Sequence, residues 1–307
     1  MGRSLLRACA SACALLWVAA CGTPADLPEE TASDEIVVKA PARVRIITGN
    51  LTSGDRQSYD PGHGARIFRA LEPDIALVQE LKVGDGSDDA LRRFVDDTFG
   101  TKFFVHREEG FGAANGIPNG IVSRFPIKEK GSWADPGSNN TRGFAWARID
   151  LPNGDDLFAV SVHFKASKGS VDVRDAEAAT LTQAIRSVVK DGEHVVIGGD
   201  LNTESADEPC FAKLSSVVDV KGPFPADEKG ATGTNAKRDH PYDWVLVDER
   251  LRAAEAPVKL GTGTFENGIV FDTRIFERLD EVPPALVSDS AAPNMQHMGV
   301  ARDFVLR

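Results

Sequence analysis

Asp200 and Asn202 stand two residues apart near the end of His194-Val-Val-Ile-Gly-Gly-Asp-Leu-Asn-Thr-Glu204. A carboxylate and an amide delivered to one point suit a divalent cation, an attacking water, or both. An Asx turn closing a strand uses the same residue types, so this stretch alone leaves both readings open. Polar residues recur beside other apolar runs: Asn50, Glu80, His163, Asp243 and His297. Glu is a poor strand residue, so Glu80 ending Asp74-Ile-Ala-Leu-Val-Gln-Glu80 is either a metal ligand or a solvated strand end. Glu, Asp and Asn together suit a hard cation such as Mg²⁺ or Mn²⁺, which prefers oxygen donors and keeps several waters. Two imidazoles and a further Asp suit phosphoryl chemistry. One His, oriented by a carboxylate, takes a proton from water, while the other donates a hydrogen bond to phosphate.

Strands must carry these groups to a common rim. Val195–Ile197 reads as a buried strand, and Gly198 and Gly199 let the backbone turn after it. Alternate residues of an extended segment share a face, so Asp200 and Asn202 aim at one point. Val44–Ile47, Asp74–Glu80, Phe103–Val105, Asn119–Ile127, Tyr242–Asp248 and Gly299–Leu306 read as further strands. Arg142–Leu151 and Asp156–His163 form a hairpin turning at Pro152-Asn-Gly154, and Val258–Phe271 holds two short strands. Helical stripes appear at Ile67, Phe68 and Leu71, over Asp88–Phe99, and at Leu181, Ala184, Ile185 and Val188. Asp172 caps the third of these and Gly192 stops it, and Pro209–Val218 is a further short helix.

The 307 residues carry a net charge of −11, with 42% hydrophobic and 26% charged residues, as in soluble globular proteins. That acidity argues against a general polyanion binder with a wide basic face, though not against a pocket that engages a few phosphates. Residues 1–20 form a targeting segment, with Arg3 and Arg7 before an apolar run too short to span a bilayer. It ends Val18-Ala-Ala-Cys21-Gly22, which is similar to a bacterial lipobox. By that resemblance Cys21 carries lipid, and the domain is exported and anchored to a membrane or cell surface, on its periplasmic or extracellular face. An ordinary cleaved secretory signal is the alternative. Residues 21–42 read as a flexible tether. Of four cysteines only Cys210 then remains free, next to Phe211, which excludes an internal disulfide and suits a core position.

The order of motifs resembles the endonuclease/exonuclease/phosphatase superfamily, the group of deoxyribonuclease I, abasic-site endonucleases and bacterial sphingomyelinases. The resemblance spans residues 43–307 and implies a four-layer α/β/β/α sandwich of two mixed sheets flanked by helices. It makes Asn50 and Glu80 metal ligands and His163 a phosphate contact. Asp200 and Asn202, in Gly198-Gly-Asp-Leu-Asn202, position nucleophile and phosphate, and Asp243 orients the general base His297. Asn119-Gly-Ile-Val-Ser-Arg-Phe-Pro-Ile127 is similar to the Ser-Arg-aromatic-Pro strand of that superfamily. The last motif departs from its usual Ser-Asp-His-x-Pro-Val. Here Met295-Gln-His-Met-Gly-Val300 puts Gln296 where the acid should be, and a neutral amide is a weaker ligand for a hard cation. Asp289 is a substitute if its loop folds back.

The resemblance therefore implies a metal-dependent hydrolase of phosphate esters, with Mg²⁺ as cofactor and Mn²⁺ or Ca²⁺ as alternatives. Its substrate is a nucleic acid or a phospholipid head group, and no protein partner is implied. Lys165, Lys168, Lys237 and Arg238 are the candidate cations for a nuclease, and Arg142 is a candidate phosphate contact. Phe111, Trp133 and Phe265 are the candidate exposed tips for a lipid enzyme. A non-catalytic binding protein with a weakened metal site is the rival reading, and Gln296 is its support.

Overall fold

The computed structural model describes residues 41–109 and 116–307. The signal segment, Cys21, nearly all of the tether and Phe111 lie outside the described residues. The elements in chain order begin β1 (Ala42–Gly49), α1 (His63–Leu71), β2 (Ile75–Val78), α2 (Asp88–Thr98), β3 (Phe104–Arg107), β4 (Gly120–Ser123) and β5 (Ile127–Ala134). Next come β6 (Gly143–Asp150), β7 (Asp156–His163), α3 (Val171–Val188), β8 (His194–Asp200), α4 (Pro209–Leu214) and β9 (Asp243–Val247). The last part holds α5 (Glu249–Ala253), β10 (Glu255–Ala256), β11 (Val258–Leu260), β12 (Gly263–Phe265), β13 (Ile269–Phe271) and β14 (Gly299–Leu306).

Period-two alternation sorts the side chains into layers. In β1, Val44 and Ile46 point inward while Ile47 points outward; in β2, Ile75 and Leu77 point inward while Ala76 and Val78 point outward. The first sheet has seven strands, six of them in the order β10-β14-β1-β2-β4-β3, with β13 also paired to β14. The second sheet has five strands in chain order, β5 to β9. Their inner faces share one core, in which Leu77 and Ile121 meet Ala159, Val196 and Val245. The outer face of the first sheet is covered by Ile67 and Phe68 of α1 and Leu91 and Val95 of α2. Leu181 and Ile185 of α3, with Phe211 of α4, cover the outer face of the second. These are the four layers expected, and each large apolar side chain so buried contributes about 1.5–3 kcal/mol.

Several elements differ from the sequence reading. Asn119–Ile127 is not one strand, because Pro126 has no N–H to give a ladder and the chain crosses there from β4 in one sheet to β5 in the other. Val258–Phe271 holds three short strands. Asp172 lies in the first turn of α3 rather than capping it, and the helix ends at Val188, short of Gly192. Gly198 and Gly199 do not turn the chain after a strand; both lie within β8. A Cβ on Gly198 would stand 2.4 Å from Leu77 Cδ1 of the facing sheet, and one on Gly199 would stand 1.9 Å from the Val162 carbonyl oxygen. The glycines let the sheets and neighbouring strands approach.

Strand direction then fixes the site. β1 pairs parallel with β2, and β7 parallel with β8, so the carboxyl ends of each pair lie side by side. β14 runs antiparallel to β1 and β9 antiparallel to β8, which brings their amino ends to the same rims.

Candidate active site

Asn50 follows β1, and its Nδ2 donates to Glu80 Oε1 at 3.1 Å and to Asp200 Oδ2 at 3.2 Å. One amide thus bridges the two sheets. Glu80 does not continue β2 as a strand residue. The strand stops at Val78 and Glu80 adopts a left-handed backbone (φ 51°), which swings its carboxylate out of the strand's alternation. A left-handed conformation at a non-glycine residue is strained, and such strain collects at functional sites. Tyr59 steadies this corner: its hydroxyl reaches the carbonyls of Gly49 at 3.3 Å and Gln79 at 3.0 Å and accepts from Leu51 N.

Asp200 ends β8, opposite His163 on one side and Asp243 on the other. Its two oxygens do different things. Oδ1 accepts from Asn202 N at 3.0 Å, which is the Asx turn, while Oδ2 faces Asn50 and both imidazoles. The two readings of this stretch are therefore compatible. Asn202 does not share a strand face with Asp200. It sits past the strand with φ 51°, and its Nδ2 donates to the Phe164 carbonyl at 3.1 Å.

His297 Nδ1 lies 2.9 Å from Asp243 Oδ2, and its Nε2 lies 3.4 Å from Asp200 Oδ2. Thr234 donates its hydroxyl to Asp243 Oδ2 at 2.8 Å, and backbone bonds from Met298 N to Thr234 O and Ala236 N to Gln296 O clamp the histidine's segment. His163 Nε2 is 3.4 Å from the same Asp200 oxygen, with Nδ1 3.8 Å from Glu80 Oε1. The two rings are in opposite states. Burial, with Arg142 and His297 nearby, holds His163 well below the usual imidazole value, so it is neutral. Burial opposes charge on His297 too, but the Asp243 and Asp200 carboxylates overcome it and push the ring up to about 10.

Arg142 is not a free phosphate contact. It is buried, donates to the carbonyls of His163 and Phe164, and lies 3.7 Å from Asp135, so it fixes the end of β7. Asp289 does not fold back to Glu80: it forms a two-pronged pair with Arg66 of α1 and accepts from Leu286 N. Arg238 is held by Asp227 and Asp272 and Lys165 is half-buried, leaving Lys168 and Lys237 as the exposed cations of this set. Trp133 is no loop tip. It stacks on Trp146 and Phe158, and Phe265 packs on Phe276.

A divalent cation fits this donor set. Burial raises the carboxyl of Glu80 above its ordinary value, and burial with Asp243 nearby pushes that of Asp200 up to about 7, so a cation bound between them would favour both carboxylates. Atoms of Asp200, Asp243 and His297 lie within 4.8 Å of one another. Glu80 and Asn50 would hold the ion by oxygen, beside Asp200. Sequence reasoning missed Gln57, whose side chain lies against Glu80, together with Tyr59 and Thr234. Loop residues outside any apolar period give no signal of where they will point.

The profile of the Endonuclease/Exonuclease/phosphatase family matches residues 65–264. The chain belongs to that family. Its members are usually metal-dependent hydrolases of phosphoesters. No curated protein matches the chain. Among solved structures, the human Nocturnin catalytic domain with bound sulfate is similar at 13% identity and TM-score 0.59, covering 86% of this chain and 95% of its own. An endonuclease/exonuclease/phosphatase protein of Beutenbergia cavernae gives 18% identity and TM-score 0.57, covering 86% and 72%. Beta toxin of Staphylococcus aureus gives 13% and 0.53, covering 84% and 99%. At such identities these likenesses establish the fold.

Proposed function

We propose that the protein hydrolyses phosphate esters, with a divalent cation as cofactor and His297 as general base. The observation that carries this reading is His297 held between Asp243 and Asp200, with Glu80 and Asn50 across the same cluster. When bound by Glu80 and Asn50, a cation such as Mg²⁺, Mn²⁺ or Ca²⁺ would neutralise charge on the phosphate oxygens. Asp243 holds the Nδ1–H of His297, and positive charge bound beside Asp200 and Glu80 would offset the carboxylates that raise the ring, freeing Nε2 to take a proton from water. Asp200, within 3.4 Å of both rings, orients that water for in-line attack on phosphorus. The new P–O bond forms as the bond to the leaving oxygen breaks. Neutral His163 donates a hydrogen bond to the phosphate, and Asn202 holds the turn that aims Asp200.

Export and lipid attachment at Cys21 belong to the same proposal and are supported by the signal-like amino terminus. Mass spectrometry of the protein from a bacterial host is expected to find lipid on Cys21, and Cys21→Ser is expected to move it to the soluble fraction. Hydrolysis is tested on plasmid DNA, a choline phospholipid and a phosphomonoester in parallel, with and without Mg²⁺. Turnover of one substrate that needs both metal and His297 supports the reading. A folded protein silent on all three, with no metal binding, favours a non-catalytic binding protein.

A further inference from the structure

Gln57 is out of place for a surface loop residue. It and Arg56 both have left-handed backbones, φ 57° and 56°, a conformation that neither residue type favours. The loop is tied across its base, where Ser53 N and Gly54 N both donate to Ser58 O. The strain delivers one side chain to one place. With its nitrogen toward Glu80, the Gln57 amide donates to both carboxylate oxygens, at 2.9 Å to Oε1, and its own oxygen accepts from Gln296 Nε2 at 2.6 Å.

An amide has two ends of nearly equal shape, a donor and an acceptor, exchanged by a half-turn of the last torsion. Without a cation, nitrogen must face the carboxylate. With a dication beside Glu80, the N–H groups would face positive charge, and the half-turn presents oxygen instead. Whichever end faces Glu80, the other end meets residue 296, so that residue must be able both to donate and to accept. A glutamine there can do both, and a carboxylate can only accept. Gln296 is exposed and free to turn with its partner.

We infer that Gln57 supplies an amide oxygen to the divalent cation beside Glu80, and that Gln296 serves as its hydrogen-bond partner in either orientation. The inference rests on the metal-dependent reading above. It turns the departure at residue 296 into half of a pair whose other half lies in the loop after β1.

The test is calorimetric titration of the whole chain with Mg²⁺ alone, alongside melting temperatures with and without the ion. Gln57→Asn keeps a left-handed-tolerant residue but is one methylene short, and Gln57→Gly removes the amide without backbone strain. Each is expected to weaken Mg²⁺ binding about tenfold or more. Gln57→Glu sets a second carboxylate against Glu80, and is expected to melt lower without Mg²⁺ and to bind it more tightly than the parent. Unchanged or tighter binding in both Gln57→Asn and Gln57→Gly overturns the inference while leaving the hydrolase reading intact. A folded parent that binds no Mg²⁺, Mn²⁺ or Ca²⁺ overturns both.

Discussion

Two histidines at one carboxylate oxygen are shifted in opposite directions because their surroundings differ. His297 has Asp243 behind it, and His163 has Arg142 near it. His297→Ala is expected to cut turnover by about 10²–10⁴-fold, the usual share of a general base. Asp243→Asn should come close to it, since the amide can hold the ring in the wrong tautomer. Full activity in His297→Ala would remove the proposed base. A second residue-scale expectation lies off the site. Burial, and secondly Asp135, push the Glu177 carboxyl up to about 8 from an ordinary 4.5. Between those values the unfolded chain is ionised while the folded one keeps its proton, so stability falls as pH rises from about 4.5 to 8. Glu177→Gln is expected to flatten that decline and to be more stable at pH 8 by about 1–2 kcal/mol. Denaturant melts at pH 5 and pH 8 decide it: parallel slopes in parent and variant contradict the assignment.

Among the elements, the two glycines of β8 set two spacings, Gly198 that between the sheets and Gly199 that between β8 and β7. Gly198→Ala must displace Leu77 Cδ1, the end of a side chain, and is expected to cost about 1–3 kcal/mol. Gly199→Ala meets a backbone carbonyl instead and is expected to cost more. Thermal melts of the two variants should rank them in that order. Most elements were legible in the sequence because they bury one face. β14 repeats its expected limits, Gly299–Leu306, and α1 and α2 follow their apolar stripes. β5 was not legible, because Ile127-Lys-Glu-Lys-Gly-Ser-Trp-Ala134 lies at a sheet edge and is largely solvated, so it needs no alternation. In the site, Glu80, Asp200, Asp243 and both histidines were readable because each lies at a strand end or within two residues of one. Asp289 was not, because its commitment to Arg66 depends on a helix 223 residues away in sequence.

For the whole molecule, charge limits the substrate. The chain has net charge −11, and the cations nearest to forming a phosphate track are partly spent, Arg238 on Asp227 and Asp272, Lys168 within 3.6 Å of Glu204. A protein that holds many phosphates loses affinity steeply with salt, through counterion release. Little such dependence is expected here. KM for the substrate that is turned over should change by less than about threefold between 50 and 200 mM NaCl, a range over which extended phosphate contacts lose orders of magnitude. A steep loss, or tight retention on immobilised DNA at 0.2 M salt, would point to a basic track the ion pairs conceal.

The first and last strands lie side by side, Ala42 opposite Leu306, and the β6–β7 hairpin touches the last residue through Asn153 and the Arg307 carbonyl. Chain entry and exit therefore share one pole. Asn50 follows the opposite end of β1, a strand's length of about 25 Å away. A tag or domain fused after Arg307 would join the sheet beside Ala42, at the end of β1 away from Asn50. The same adjacency makes this a fold whose ends could be spliced together and reopened at the Pro152-Asn-Gly154 turn without disturbing Asp200.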